Sequence, residues 1–478
     1  MLLRIGNSAA KRFFSTIYAH SSGQGKSGVA VIRVSGPKSI DVLKRLTGLK
    51  KVPLPRTAIL RKFSNPTTGC TIDKGLVLFF PAPKSFTGDD VVEFHIHGGK
   101  AVVAAMLSAI GQVQNCFPAE PGDFTRRAFL AGKMDLTEVE GLADLLSAET
   151  EAQRQQALLQ MEGHLGQLYK KWAEQLARCM AHVEAFIDFS EDDNIEDGVL
   201  EAVDKQVKNL MKEIQGHLSD GRRGEILRSG VSVSIVGEPN VGKSSILNTL
   251  AQRPAAIVTS QAGTTRDVVQ VSLDLGGYPV QLSDTAGLRE ANDEVEKEGI
   301  RRARVSAEKA DLVLLVASAP EIYRDSLQNM GFDDSIKKYL RKCDLEINPK
   351  NCIIILNKND LLENDPSDFT TDLNVVHTSC ESREGMNQLL KVLQEKLSLL
   401  CGEPSKECPT ITQARHRAHI ENCSNYLQKF LLCMEENHDL VIAAEQLRQA
   451  LRNLGLLTGK VSTEQLLDLV FSEFCIGK

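Results

Sequence analysis

Residues 16 to about 120 alternate short apolar runs, Val29-Ala30-Val31-Ile32, Leu76 to Phe80 and Val91 to Phe94, with glycine and proline punctuation. Runs of this length between turn formers predict a compact α/β domain. The punctuation then stops: no proline occurs between Pro121 and Pro239, and Leu142, Leu145, Leu146, Ala152, Leu158 and Leu159 recur at helical spacing. Long helices are predicted there. From residue 230 to about 398, Val231 to Val236, Leu312 to Val316 and Cys352 to Leu356 are strand-length apolar runs separated by helical stretches. That pattern predicts a mainly parallel sheet covered by helices. Beyond Pro409 proline vanishes again. Leu447, Leu451 and Leu454 share one helical stripe, as do Leu466, Leu467 and Val470, so the tail reads as more of the same helical domain. The fold class is multidomain α/β plus all-α. The expected organisation is a leader at 1–15, an N-terminal domain at 16–135, a helical domain at 136–229, an inserted domain at 230–398 and the rest of the helical domain at 399–478.

Length supports this division, because 478 residues exceed what one core serves. No apolar run reaches the length needed to cross a bilayer. A formal net charge of -6 excludes a broad electrostatic hold on nucleic acid and leaves room for a local one. The 11 cysteines form no CxxC pair and no disulfide-framework spacing, which points to a reducing compartment. Residues 1–40 contain Arg4, Lys11, Arg12, Lys26, Arg33 and Lys38 with no acid before Asp41. That is the chemistry of a mitochondrial transit peptide, with a merely basic N-terminus as the alternative.

Gly237-Glu238-Pro239-Asn240-Val241-Gly242-Lys243-Ser244 follows the Val231 to Val236 run and precedes a helical stretch, Ser245 to Ala251. Strand, loop and helix in that order make a phosphate-binding loop. Its backbone N–H groups wrap a β-phosphate at a helix N-terminus, Lys243 neutralises β/γ charge, and the Ser244 hydroxyl joins a Mg²⁺ shell. Asp284-Thr285-Ala286-Gly287 follows the run Pro279 to Ser283, which sets a carboxylate at a strand end for the Mg²⁺ water shell and Gly287 near the γ-phosphate. Asn357-Lys358-Asn359-Asp360 caps Cys352 to Leu356. The Asp360 carboxylate can accept from guanine N1 and N2, which selects GTP over ATP. Ser379-Cys380, after Val375 to His377, would complete the base pocket with backbone N–H groups. Thr265, in Gly263-Thr264-Thr265-Arg266-Asp267, is the switch threonine for Mg²⁺ and γ-phosphate. Leu288 has no polar group to orient water, and spacing does not choose among Glu290, Asp293, Glu294, Glu296 and Glu298 as a substitute. His95 and His97 lack the further spaced ligands a metal needs.

The GTTRD and DTAGLRE segments, with GEPNVGKSS, resemble translation-associated GTPases that use a potassium ion. Cys475-Ile476-Gly477-Lys478, PGDFTRRAFLAGKMDLTEVEG at Pro121 to Gly141 and SFTGDDVVEFHIHGG at Ser85 to Gly99 resemble the MnmE/TrmE family, and that resemblance spans essentially the whole chain after the leader. It implies an N-terminal domain like folate-dependent aminomethyl-transfer enzymes, a divided helical domain carrying the G domain, homodimers, and a flavin-binding partner called MnmG through which alone FAD enters. It implies that Arg33, Glu93, Lys133 and Lys478 contact a tetrahydrofolate, as the 5,10-methylene or 5-formyl derivative. It places K⁺ on Asn240, Thr259, Gln261 and Thr264, makes Glu296 the catalytic glutamate beside Lys243 and Thr265, and sets Cys475 close to the folate and the target base. Lys26 stands where family members often have arginine, and the FHIHGG stretch varies, so details of the folate contacts stay open.

The activity so implied is GTP hydrolysis coupled, through the MnmG-type partner, to modification of C5 of the wobble uridine of mitochondrial tRNAs in the matrix. The product would be a 5-taurinomethyl or carboxymethylaminomethyl uridine. A mitochondrial ribosome-assembly GTPase shares the switch sequence but would carry a basic RNA-binding tail, whereas residues 400–478 hold 8 Lys plus Arg against 10 Asp plus Glu. A folate enzyme with a vestigial G domain is a third reading, against which the intact Lys243, Ser244, Asp284 and Asp360 speak.

Overall fold

The computed structural model describes residues 15–189, 198–251, 270–284, 304–327, 331–343, 351–362, 373–435, 440–461, 464–472 and 474–478. Contacts group the chain into two compact units, one of Met1–Ala143, Gln160–Ala173 and Arg452–Lys478, the other of Asp144–Leu159 and Glu174–Leu451.

The first unit is built on strands β1 (Thr16–His20), β2 (Ser27–Ser35), β3 (Ile59–Ser64), β4 (Thr71–Phe80), β5 (Val91–Gly98) and β6 (Cys116–Pro118), in the order β3-β4-β5-β2-β1-β6. All neighbours are antiparallel except β1 and β6. In the run Val29–Ile32, Ala30 and Ile32 are buried, as is Val34 beyond them, while Val29 is 57% exposed, so strand pleating splits a continuous apolar run between two faces. The buried face meets helices Ser39–Thr47 and Lys100–Gly111, whose Val42, Leu43, Leu46, Met106, Ala109 and Ile110 join one core with β2 and β5. The first of these helices stops at Gly48, which turns to φ +69° and returns its N–H to Lys44 O at 2.9 Å. A second core gathers Leu136, Val139 and Leu142 with Val470, Phe471 and Phe474 near the C-terminus. Arg127, buried in helix Asp123–Leu130, donates to Ser15 O at 2.8 Å, Ser35 O at 3.1 Å and Asp89 Oδ2 at 3.2 Å. A buried guanidinium is tolerated because these acceptors replace its water.

The second unit holds β7 (Val231–Val236), β8 (Gln270–Leu275), β9 (Tyr278–Asp284), β10 (Leu312–Ser318), β11 (Cys352–Asn357) and β12 (Val375–His377), in the order β12-β11-β10-β7-β9-β8. Every neighbouring pair is parallel except the hairpin β8–β9, which turns on Gly276 and Gly277, both at positive φ. β10 and β11 are buried at every position, as a sheet covered on both faces requires. The helix Met386–Cys401 lays Met386, Leu389, Leu393 and Leu397 on one of those faces. The strands of this sheet all lie between residues 231 and 377, and the helices before and after them pack together. Val203, Val207, Leu210 and Ile214 of Val199–Leu218 are buried, as are Ile420, Cys423, Leu427 and Phe430 of Ala414–Glu435. At their junction Arg417 donates to Asp220 Oδ1 at 2.8 Å, Glu225 Oε1 at 3.2 Å and Leu218 O at 3.0 Å. One guanidinium thereby ties the segment entering the sheet to the segment leaving it.

Candidate functional site

The phosphate loop leaves the C-terminal end of β7, between β10 and β9 at the centre of the sheet. Gly237 and Gly242 take φ +148° and +102°. A Cβ on the first would collide with the Val316 carbonyl, and one on the second with the Asn357 amide; only glycine fits either place. Asn240 also sits at φ +61°. The loop then runs into helix Lys243–Ala251, which buries Lys243, Ile246 and Leu250 on one side and leaves Ser244 and Ser245 exposed at its N-terminus. Lys243 Nζ folds back to donate to Gly237 O at 2.9 Å and Glu238 O at 2.6 Å. Its charge is therefore held over the mouth of a loop whose helix N-terminus favours an anion. These features fit a nucleotide phosphate.

Two side chains that sequence patterning did not single out brace the loop. Tyr339 is buried, donates its hydroxyl to Val316 O at 2.8 Å and accepts from Glu238 N at 3.0 Å. Burial pushes that phenol far above the usual tyrosine range, so it stays protonated and keeps the donor. Lys342 pairs with Glu238 at 2.6 Å from an exposed position. In the sequence Phe332, Ile336 and Tyr339 form a helical apolar stripe, which signals core and conceals the hydroxyl's task.

The base-reading side lies on β11 and β12. Asn357 is buried and points inward: its Nδ2 donates to Val241 O at 2.8 Å, and its Oδ1 accepts from Cys380 N at 3.3 Å and Thr378 Oγ1 at 3.4 Å. This amide joins the phosphate loop to the Ser379-Cys380 turn. Lys358 takes φ +64°, and the chain turns through Asn359–Leu361 with Asp360 exposed. The Ser379 N–H donates to Glu384 O at 3.1 Å, so both N–H groups of Ser379-Cys380 are engaged within the protein. Asp284 ends β9 opposite Ile235 of β7, beside the start of the phosphate loop. Thr259, Gln261, Thr264, Thr265, Thr285, Ala286, Gly287 and Glu296 lie outside the described residues.

A second constellation occupies the first unit. Arg33 of β2 and Glu93 of β5 are register partners, and Arg33 Nε and Nη2 both meet Glu93 Oε1 at 3.0 Å. Arg33 Nη1 also donates to Gly477 O at 3.3 Å, and its guanidinium lies 5.4 Å from the Phe86 ring centroid and 5.7 Å from that of Phe124. The tail reaches this place because Ile476 bridges Pro121 and Gly477, at φ +101°, lies so close to His20 O and Ser21 that a Cβ would not fit. Burial, and next to it the Arg33 charge, hold the Lys478 ammonium below the usual lysine range, with Glu93 opposing. His95 Nε2 stands 3.7 Å from Glu93 Oε2. Arg33, Glu93 and Lys478 thus come together, whereas Lys133 is exposed near Gly88 and Cys475 is exposed on the tail. Phe86 and Phe124 sit inside the SFTGDD and PGDFTRR segments but were not read as site residues. No group of three or more potential metal ligands occurs among the described residues, His95 and His97 included.

Two family models match the chain. The GTP-binding protein TrmE N-terminus matches residues 16–133, and the MnmE helical domain matches residues 136–475. A Danio rerio protein named 5-taurinomethyluridine-tRNA synthase subunit GTPB3, mitochondrial, is 52% identical over 97% of this chain and 93% of its own length. The Homo sapiens protein of that name is 49% identical over 97% and 93%. A tRNA modification GTPase MnmE from Parvibaculum lavamentivorans is 49% identical over 97% of this chain and all of its own length. The chain belongs to the MnmE/TrmE family of tRNA modification GTPases.

Proposed function

We propose that this chain hydrolyses GTP in the mitochondrial matrix to drive modification of C5 of the wobble uridine, U34, of mitochondrial tRNAs, with 5-taurinomethyluridine as the product. The observation that carries this reading is identity of 52% over 97% of the chain to a mitochondrial relative named for that nucleoside. The phosphate loop and Lys243 hold the GTP phosphates, and Asp360 reads guanine. Ser244, Thr265 and Asp284 serve Mg²⁺, while Asn240 with Thr259, Gln261 and Thr264 serves K⁺. Bound there, the two cations would supply positive charge to the transferring phosphoryl group. Glu296 orients the attacking water in place of the apolar Leu288.

Arg33, Glu93, Lys133 and Lys478 receive the tetrahydrofolate derivative. Two cations gathered beside one carboxylate and two aromatic rings suit an anionic, flat ligand. Bound there, the folate would supply the one-carbon unit, and an MnmG-type FAD protein would share the chemistry with a homodimer of this chain. In this reading 230–398 is the G domain, inserted between the two parts of a helical domain.

Mass spectrometry of wobble nucleosides in mitochondrial tRNAs, from cells lacking the protein and rescued with wild type or Lys243→Ala, tests the reading. Loss of the C5-modified uridine that only wild type restores is the expected result. Unchanged nucleosides would turn the assignment toward ribosome assembly.

A further inference from the structure

We infer that the open face of the N-terminal sheet, entered at its β3 edge, is a docking surface for the phosphate backbone of RNA. The inference rests on the proposed reading for tRNA as the substrate, and concerns where that substrate sits.

In a chain of net charge -6, residues 42–72 carry seven Lys plus Arg and no Asp or Glu. All seven are exposed, and Lys50, Lys51, Arg61 and Lys62 cluster on edge strand β3 and the segment leading into it. Lys62 is directly opposed to Lys74 of β4 in the antiparallel ladder. Like charges so placed destabilise a strand pair, and neither ammonium has an ion-pair partner among the described residues. Lysine on an edge strand discourages strand addition, which accounts for Lys62. It does not account for Lys74, because β4 lies one strand in, between β3 and β5. A ligand that supplies negative charge from outside removes the repulsion.

Strand pleating extends this row toward the candidate folate site. The β4–β5 register pairs Leu76 with His95 and Leu78 with Glu93, and Lys74 lies two residues before Leu76 on the same face of β4. Lys62, Lys74, Leu76, His95, Glu93 and Arg33 therefore share one face of the sheet, the face opposite the buried core. From Lys74 to Leu78, the register partner of Glu93, is four residues of β4, about 13 Å at ~3.3 Å per residue. Between them lie exposed Leu60 and Leu76 and the half-buried His95, an apolar strip for ribose and base faces. Asp73, the chain neighbour of Lys74, has its carboxylate turned onto His97 Nδ1 at 2.9 Å and His97 N at 2.8 Å. A polyanion held at the lysine row and lying along this face would carry a base toward Arg33, Glu93 and Lys478. An acidic protein would match the charge, but nothing would require it to reach that site.

The test uses the full-length protein, a mitochondrial tRNA transcript and the double variant Lys62→Ala/Lys74→Ala. Affinity is followed against KCl concentration, with thermal unfolding and intrinsic GTP turnover as controls. The double variant should bind roughly tenfold more weakly, with the slope of log K against log salt smaller by about 2, since each phosphate-bound lysine contributes about 1. GTP turnover should not change, and unfolding should shift only upward, because the opposed like charges are gone. Unchanged affinity and slope overturn the proposal, as does a wild-type chain that does not bind tRNA. Intact tRNA binding with lost self-association, or lost capture of the flavoprotein partner, overturns it in favour of a protein-docking face. Failure of the broader reading is distinguishable: it shows as unmodified nucleoside profiles that do not depend on the protein in cells.

Discussion

The phosphate loop and the C-terminal cradle are made by opposite means. The first takes its geometry from eight consecutive residues: two glycines in conformations closed to other residues, a helix N-terminus and a lysine that folds onto its own loop. The second joins β2, β5 and the tail, and its Arg33–Gly477 hydrogen bond links positions 444 residues apart. Local backbone conformation shapes the loop, while register and burial shape the cradle. Nucleotide handling should therefore respond to changes in the loop, and the stability of the first unit to changes in the cradle.

The largest expected effect is that of Lys243→Ala. Removing the charge over the loop mouth should lower GTP turnover by about 10²–10³ without moving the unfolding of the first unit. A shift of both together in a turnover and denaturation series would break the separation. Arg33→Ala should act the other way round. It strips Glu93 of its partner and Gly477 of its donor, at a cost of about 2–3 kcal/mol in chemical denaturation, and modification should fail while GTP turnover stays intact. If unfolding is unmoved, the tail is held by its apolar contacts alone.

Tyr339→Phe sharpens the loop side. It leaves Glu238 N–H and Val316 O without the shared hydroxyl, and a loss of about 1.4 kcal/mol corresponds to about tenfold weaker binding. GDP and GTP should weaken alike, with kcat unchanged; a fall in kcat alone would mean that the hydroxyl acts in the transition state.

The smallest effect belongs to the helical scaffold and to neither site. Burial lowers the His217 imidazole to about 4, against about 6.5 in an unfolded chain. Between those values the unfolded state binds the extra proton, so stability is lost as pH falls from about 6.5 to about 4 and is unaffected by this group above that window. Urea midpoints at pH 7 and pH 5 should converge in His217→Leu. An equally steep loss in the variant would place the acid sensitivity elsewhere.

Much of the scaffold was legible. The strand-length runs at Val231, Leu312 and Cys352 became β7, β10 and β11, and the proline-free stretches became helices, because burial on both faces and the absence of helix breakers leave few alternatives. The loop lysine, Asp360 and the Asp284 strand end were readable because each depends on its immediate neighbours. Tyr339 and Arg417 were not. One sits in an apolar stripe, the other on a helix surface among ordinary charges, and their partners, Glu238 N and Asp220, lie 101 and 197 residues away. Val29 shows the same limit within a strand: it belongs to the same apolar run as Ile32, yet one is exposed and the other buried.

What the sequence by itself determined is the chemistry of the nucleotide loop, since glycine freedom, a helix N-terminus and a lysine within one turn create an anion site wherever a strand delivers them. It also carried the motifs that assign the family. Only the tertiary structure decided by which contacts Arg33, Glu93 and Lys478, grouped by the family resemblance, meet, that Tyr339 and Asn357 brace the loop, and that Lys62 and Lys74 face outward on the side of the sheet that leads to that cradle. Strand register and burial bring those groups together, and spacing along the chain encodes neither.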